Sequence, residues 1–295
     1  MHLAGDVLAG RISYCGELLR GGDHDRFLTA LFSSAATREP LFTLYAFNLE
    51  IARIRDHVKE PLLGEMRLQW WREGIAGIFS SQSCPDHPVL QALGEAIAVF
   101  DLPRQRFEIM LDARSADFSS QPHATLDALE TYADAVSAGL MRLAALLLER
   151  ARPGDGFPIH IQDAAFHHAG AGYMLAGLLR SIAFHGARGQ ICLPADVMRL
   201  EGVSPDMLLA GKMRPEIGRM IERLSQRAEM HIQRARHLLP RVPRDILPVF
   251  LPVTLAELYL KALRLCRHDP FQPPSPIPVH RKQLRLFRAW LGRRF

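Results

Sequence analysis

The stretch LYAFNLEIARIRDHV, residues 44–58, decides the fold of this chain. Its apolar side chains Leu44, Phe47, Ile51 and Ile54 recur at intervals of three and four residues. Because an α-helix has about 3.6 residues per turn, that spacing places all four side chains on one face. The stretch therefore predicts an amphipathic helix whose apolar face lies against a core.

The same helical period extends along most of the chain. It predicts further helices over residues 64–79, 88–100, 103–118, 125–151, 159–186, 214–239 and 248–267. Thr125 is placed to act as an N-cap, because its hydroxyl can accept a hydrogen bond from the first turn. No stretch alternates as a strand does, and no internal repeat is visible. The sequence therefore predicts an all-α protein built as one helical bundle.

One segment is typical of a domain boundary: PFQPPSPIP, at residues 270–278. We predict an N-terminal segment over 1–24, a helical domain over 25–268, and a linker with a basic C-terminal helix over 269–295. The tail combines six arginines and lysines with apolar side chains at Leu284, Leu286, Phe287, Trp290 and Leu291. Such a tail either docks on an anionic membrane surface or packs on the bundle, and we favour packing.

The charge balance restricts the partners and the compartment. A net charge of +5 and a pI of about 9.3 favour anionic partners, such as diphosphates or an anionic membrane surface. No nucleic-acid-binding motif is present, so we predict no nucleic-acid partner. The cysteines are isolated, which is typical of a reducing compartment: Cys15, Cys84, Cys192 and Cys266. Without a signal-like or spanning apolar run, we predict a cytoplasmic protein that can lie on the inner face of the cytoplasmic membrane.

Three glycines interrupt the helix predicted over 159–186. Each of Gly170, Gly172 and Gly177 costs the helix about 1 kcal/mol relative to alanine. Close packing of a neighbouring helix is the explanation we favour, and contact with a ligand is the alternative.

Three segments together resemble the squalene/phytoene synthase family, whose members join prenyl diphosphates head to head. They are residues 44–58, YADAVSAGLM at 132–141, and MLAGLLRSIAFHGARGQICLPADVMRLEGVS at 174–204. Their order and separation are similar to those of the family, and RLQWWREGI at 67–75 extends the likeness. The resemblance implies the all-α isoprenoid synthase fold.

The departures from the family pattern concern its two aspartate-rich motifs, which hold Mg²⁺ ions that bridge to the substrate diphosphate. In the first motif Ala52 and Arg53 replace aspartates, and only Asp56 remains. The carboxylate positions of the second motif are Ser181, Phe184 and His185. Other family positions also differ: Leu49, Asp134 and Gly177. Because Mg²⁺ needs several oxygen ligands, we predict no metal site, no cofactor and no catalytic residue.

Five residues remain as candidates for ligand binding: Tyr45, Asp56, Arg180, His185 and Arg188. Arg180 and His185 are little more than one helical turn apart and could receive a phosphate or carboxylate without metal. Alternatively, they cap or anchor a loop. Asp56 is either a remnant metal ligand or part of an ion pair with Arg53, Arg55 or a residue across the bundle, and we favour the ion pair.

Three stretches resemble one branch of the family, which contains a respiratory complex I assembly factor with degraded aspartate motifs. They are residues 46–58, residues 179–204 with the FHGAR pattern at 184–188, and SQRAEMHIQRARHLLPRVP at 225–243. The resemblance implies a non-catalytic assembly role, a complex I subunit as partner, and a lipid or prenyl chain as ligand. One alternative is a head-to-head prenyl diphosphate transferase with an altered metal site that uses Mg²⁺. Another is a peripheral lipid-binding protein with no role at complex I.

A group of histidines and one carboxylate also raises the question of zinc: His160, Asp163, His167 and His168. His167 follows Asp163 by four residues, so the two can share a helix face. No HExxH motif occurs, and zinc would need further ligands from distant helices. We therefore predict that these histidines are solvated or satisfied within the core.

Overall fold

The computed structural model describes residues 12–58, 60–80, 85–119, 121–152, 157, 159, 160, 162–272 and 276–295. Within these ranges the regular elements are helical. The α-helices, in chain order from α1 to α14, are Tyr14–Gly22, His24–Ala30, Ala35–His57, Pro61–Ser80, Pro88–Phe100, Arg104–Arg114, Leu126–Ala133, Gly139–Arg150, Asp163–Gly186, Ala195–Leu200, Pro205–Leu209, Pro215–Leu238, Leu251–Leu265 and Val279–Gly292. The predicted all-α class is confirmed.

Helix α3 carries the apolar face that the sequence predicts. Leu44, Phe47, Ile51 and Ile54 are all buried in the core. Around α3 pack α1, α5 and α8, while α9 packs against α12 and α13 on the other side of the bundle. Helices α3 and α9 therefore belong to two different packed groups of the bundle.

Two glycines of α9 are required by close helix packing. A Cβ added to Gly170 would lie 2.5 Å from the backbone nitrogen of Ala138. A Cβ added to Gly172 would lie 2.7 Å from Cγ1 of Ile232 on α12. The packing explanation is confirmed for these two positions. Gly177 differs, since a Cβ there would meet nothing within 4 Å.

Helices α7 and α8 are joined by a π-helical segment, Asp134–Ala138, in which Gly139 N–H donates to the carbonyl oxygen of Asp134. The continuous stretch Leu126–Arg150 contains an 18-residue window with a mean hydropathy of 1.3, enough in length and composition for a membrane span. The sequence predicted no spanning run here. Because 72% of its most apolar window is buried inside the bundle, it packs as a core helix. Thr125 caps its start, as predicted, accepting a hydrogen bond from Ala128 N–H at 3.1 Å.

The C-terminal helix α14 packs on the bundle while keeping one face exposed. Leu286 is fully buried, and the ring of Phe295 stacks on Phe250 with centroids 4.8 Å apart. Leu284, Phe287 and Leu291 are each about half exposed, at 50%, 49% and 50%. The favoured packing is confirmed, and an apolar strip remains open to solvent.

Some predicted features lie outside the described residues. These are Cys84, the first eleven residues of the N-terminal segment, and positions 273–275 of the proline-rich segment. Cys15, Cys192 and Cys266 have free thiols. The domain boundaries at 24/25 and 268/269 stay predictions.

Candidate functional site

Two neighbouring cavities lie between α3 and α9. The inner cavity, of about 200 Å³, also contacts α2 and α13. The outer cavity, of about 320 Å³, is closed by the segment that follows α6. They share four lining residues: Ala52, Arg114, Met174 and Leu178. The space between the two principal helices is therefore open.

The positions of the degraded motifs line these cavities, as their helical spacing requires. Ala52 lies on the α3 wall of the inner cavity, and Gly177 and Ser181 lie on its α9 wall. Ser181 donates to the carbonyl oxygen of Leu178 at 3.1 Å, within its own helix. The two walls thus face each other with small neutral side chains.

Asp25 of α2 is the carboxylate of the inner cavity, and it is buried. Lys282 Nζ donates to its Oδ1 at 2.8 Å, while Tyr259 Oη donates to its Oδ2 at 2.5 Å. Arg180 Nη1 adds a third contact at 3.3 Å. Burial acts to raise the pKa of Asp25, but the hydrogen bonds from Lys282 and Tyr259 outweigh it and hold that pKa below its usual value. Asp25 is therefore an ionised group whose charge is already neutralised.

Arg114, at the end of α6, organises the wall that both cavities share. It is 8% exposed, and its Nη2 donates to Oδ1 of Asn48 at 3.2 Å. Its Nη1 donates to Asp117 Oδ2 at 3.1 Å and to Tyr132 Oη at 2.9 Å. Tyr132 in turn donates to Asp117 Oδ1 at 2.6 Å. Arg114 Nε has no hydrogen-bond partner and is buried.

The outer cavity has a second arginine on Asp117. Arg55 Nη1 lies 3.8 Å from Asp117 Oδ1, and its Nη2 donates to Gln190 Oε1 at 3.3 Å. Nη2 also contacts Cys192 Sγ at 3.2 Å. Two arginines therefore neutralise the single buried carboxylate of this cavity.

This donor set does not fit the Mg²⁺ ions that the family resemblance implies. Mg²⁺ takes oxygen ligands in near-octahedral geometry and needs carboxylates free to coordinate it. Asp25 and Asp117 are each held by two cations and a tyrosine hydroxyl. Asp56, the third carboxylate along the cavities, is exposed and would be a lone ligand. We derive no metal-dependent step at this site.

The five predicted ligand-binding residues do not converge on one point. Arg180 lines the inner cavity and lies over the Tyr259 ring, 4.2 Å from its centroid. Asp56 and His185 line the outer cavity, so the expected meeting of Arg180 with His185 does not occur. Nδ1 of His185 lies 3.2 Å from Oε1 of Gln190. Burial, together with Arg55, lowers the pKa of His185.

The other candidates have structural surroundings. Tyr45 is buried beneath Arg26, whose guanidinium carbon lies 5.8 Å from its ring centroid, and burial raises its pKa. Arg188, in the turn after α9, is exposed, and its guanidinium carbon lies 3.6 Å from the ring centroid of Phe184 near the end of α9. Asp56 forms no ion pair within the described ranges, so the favoured pairing with an arginine is not formed.

Sequence reasoning missed several residues of the site: Asp25, Arg114, Asp117, Tyr132 and Lys282. One signal for Arg114 was present in the sequence. It follows Phe107, Met110 and Leu111 on the same face of α6, so an arginine completes an otherwise apolar stripe. No comparable pattern marks Asp25 and Lys282, which are 257 positions apart.

Known proteins were compared with this sequence and structure. The family model for squalene/phytoene synthase matches residues 19–287. Assembly factor 6 of NADH dehydrogenase (ubiquinone) complex I from Rattus norvegicus is 30% identical over 260 residues, covering 88% of this chain and 76% of the relative. A presqualene diphosphate synthase from Rhodopseudomonas palustris is 26% identical over 247 residues, covering 82% and 83%.

A crystal structure of a dehydrosqualene synthase superposes with a TM-score of 0.81. The match covers 94% of both chains at 18% identity, so it shows a shared fold. With the family model matched over most of the chain, and with the motif helices facing each other across the cavities, this protein belongs to the squalene/phytoene synthase family.

Proposed function

We propose that this protein is a non-catalytic assembly factor for respiratory complex I. One observation carries the proposal: the family's cavity is kept, but its own cations neutralise its buried carboxylates. Lys282 and Arg180 engage Asp25, and Arg55 and Arg114 engage Asp117. A Mg²⁺ ion placed beside Asp25 or Asp117 would be repelled by the lysine and arginine side chains already there. Relatives that are 29–30% identical to this chain are named as complex I assembly factors, which supports complex I as the partner.

We infer that the inner cavity binds a lipid or prenyl chain. Apolar side chains at Val136, Met174 and Leu178 suit a hydrocarbon chain, and Arg26 and Arg114 stand beside them. An anionic head group can accept hydrogen bonds from guanidinium groups without metal. The protein would bind such a ligand without any chemical reaction.

The first experiment separates a helper from an enzyme. The purified full chain is titrated with farnesyl diphosphate, with and without Mg²⁺, and products are extracted and analysed. We expect no condensed product, and binding that Mg²⁺ does not strengthen. Mg²⁺-dependent binding with a squalene-like or phytoene-like product would overturn the proposal and favour the prenyltransferase alternative.

A second experiment tests the client. In a strain that lacks this protein, NADH:ubiquinone oxidoreductase activity of the membranes should fall, while succinate oxidation stays unchanged as an internal control. Re-expression of the wild type should restore the lost activity. Normal NADH oxidation in the deletion strain would favour the lipid-binding reading without a role at complex I.

We also propose that α14 docks the protein on an anionic bilayer at the inner face of the cytoplasmic membrane. Leu284, Phe287 and Leu291 form the exposed strip of α14, and Arg281 and Arg288 are exposed on the same helix. Apolar side chains with adjacent arginines suit insertion between anionic head groups. The protein would therefore be cytoplasmic and peripheral.

Co-sedimentation with vesicles tests this docking. Binding should require anionic lipid and should weaken when Phe287→Ser and Leu291→Ser are combined. The matched control is Leu265→Ser, since Leu265 is 77% exposed at the end of α13. Equal binding to neutral vesicles, or equal loss in the control, would refute the docking surface.

A further inference from the structure

Three histidines cluster between α9 and α12, outside the linings of both cavities. His167 and His168 are consecutive on α9, and His231 comes from α12. Each offers one ring nitrogen, and these atoms lie within 4.8 Å of one another. Nδ1 of His168 is 2.9 Å from Nδ1 of His231, which is 63 positions further along the chain.

The glycines of α9 explain why these side chains meet. Gly172 lets α12 approach at Ile232, the residue after His231. Gly170 lets the π-helical segment approach at Ala138, and that segment begins with Asp134. The close approach therefore brings a third histidine and a carboxylate to the pair on α9.

Carboxylates lie beside two of the three rings. Asp134 Oδ1 is hydrogen-bonded to Nδ1 of His167 at 3.0 Å, whereas Glu130 Oε1 lies 3.1 Å from Nε2 of His231 without hydrogen-bond geometry. A carboxylate that accepts a ring N–H leaves the opposite ring nitrogen with its lone pair free. Protein metal sites fix their histidine ligands by this same contact.

Arginines hold those carboxylates in place. Arg142 donates to both oxygens of Asp134, at 3.2 and 3.0 Å, and Arg227 donates to both oxygens of Glu130, at 2.6 and 2.8 Å. Burial acts to raise the pKa of Glu130, but Arg227 and His231 lower it to about 2. Burial and the other two histidines lower the pKa of His168 to about 4.

We propose that His167, His168 and His231 bind a divalent transition-metal ion of the Zn²⁺ class. The ligand atoms are Nε2 of His167 and Nδ1 of His168 and His231. Without metal, one proton bridges the Nδ1 atoms of His168 and His231. With metal bound, that proton moves to Nε2 of His168, so no proton is lost from the ring.

The His168–His231 separation of 2.9 Å must widen slightly, and His167 must come closer. Zn–N bonds of about 2.0–2.1 Å in a tetrahedron place the nitrogens about 3.4 Å apart, close to the His168–His231 separation. His167 is the ring that must approach; its side chain is 36% exposed, and it can move together with Asp134, which holds its Nδ1. Asp134 is similarly exposed, so an ion and a water ligand can enter from solvent. Imidazole nitrogens favour zinc, copper, nickel and iron over magnesium or calcium.

The sequence predicts that His160, His167 and His168 are solvated or satisfied within the core. Zinc would need a ligand from a distant helix, and His231 on α12 offers one. Asp163, which the spacing places near His167, instead accepts a hydrogen bond from Arg142 at 2.7 Å. The site is independent of the proposed assembly role.

Cobalt gives a direct test, because four-coordinate Co²⁺ absorbs strongly in the visible range. The full chain is treated with a chelator, desalted, and titrated with Co²⁺, and Zn²⁺ is then added. We expect the absorption to saturate at one ion per chain and to disappear as Zn²⁺ displaces Co²⁺. Weak, octahedral-type absorption without saturation would overturn the proposal.

Variants locate the ion. His167→Gln removes a partly exposed ligand and should weaken binding at least about tenfold. His231→Asn should abolish the cobalt spectrum, and circular dichroism checks that the variant is folded. If His231→Asn does not fold, His167→Gln alone decides the outcome. The control is His237→Gln, an exposed histidine on the same helix as His231, which should bind as the wild type does. Unchanged affinity in His167→Gln, or equal loss in the control, would refute the site.

Discussion

Lys282 of the C-terminal helix places its Nζ 2.8 Å from Oδ1 of Asp25, near the other end of the chain. The lysine side chain is largely buried, and Asp25 lines the inner cavity. This ion pair ties α14 to the wall of the cavity. The helix proposed to dock on a bilayer is thus connected to the cavity proposed to bind a ligand.

Removal of this lysine should loosen the tail. Lys282→Ala deletes a charged hydrogen bond to a buried carboxylate, which costs about 1.5–3 kcal/mol of unfolding free energy. Urea unfolding measures the loss, and limited proteolysis should cleave the tail sooner. The control is Lys261→Ala, since Lys261 is exposed on α13. Equal stability of the two variants would contradict the role of the ion pair.

The pH dependence of stability should reflect Asp25. Its pKa is lower in the folded protein than in the unfolded chain, so its contribution is complete above about pH 4. The contribution is lost as the pH falls from there through the lowered pKa, because the unfolded chain takes up the proton first. Asp25→Asn should be less stable at neutral pH, and the difference should shrink on acidification. A difference that grows at acidic pH would contradict this assignment.

Arg114 should be the most sensitive arginine of α6. Arg114→Ala leaves Asp117 buried with fewer partners, and breaking such a pair costs about 3–5 kcal/mol. Arg104, at the other end of α6, forms an exposed pair with Glu108, and its loss should cost about 0–1 kcal/mol. Thermal and urea unfolding of both variants compare them. Similar losses would show that the buried network adds nothing.

The glycines of α9 should respond in opposite directions to alanine. Gly170→Ala meets the backbone of Ala138 and should destabilise by about 1–3 kcal/mol. Gly177→Ala meets no atom, so the better helix former should stabilise by about 0.5–1 kcal/mol. Because Gly177 lines the inner cavity, the added methyl group also reduces the room for a ligand. Unfolding midpoints with the same sign at both positions would be inconsistent with this packing.

The long helices could be predicted from the sequence because their periodicity is local. The helix predicted over 88–100 is α5, with the same bounds. The short helices α1, α2, α10 and α11 were not predicted, since five to nine residues contain too few turns for a period to be recognised. The family resemblance then supplied the arrangement that periodicity alone could not.

The site was predictable only in part, for a physical reason. The resemblance marked Ala52, Gly177 and Ser181 as altered motif positions, and all three line the inner cavity. The charged groups at this cavity come from distant parts of the chain, as Asp25 and Lys282 show. Ion pairs between distant positions leave no local pattern, so one sequence cannot reveal them.

The π-helical segment at Asp134–Ala138 has a consequence for how this chain could change length. A π turn holds one residue more than an α turn, so deleting one residue there would restore ordinary helical geometry. Elsewhere in a core helix, a deletion turns every later side chain by about 100° and ruins its packing. Here the change would rotate Asp134 relative to Arg142 and release His167. A one-residue deletion in this π-helical segment would therefore keep the fold while removing the contact between Asp134 and His167.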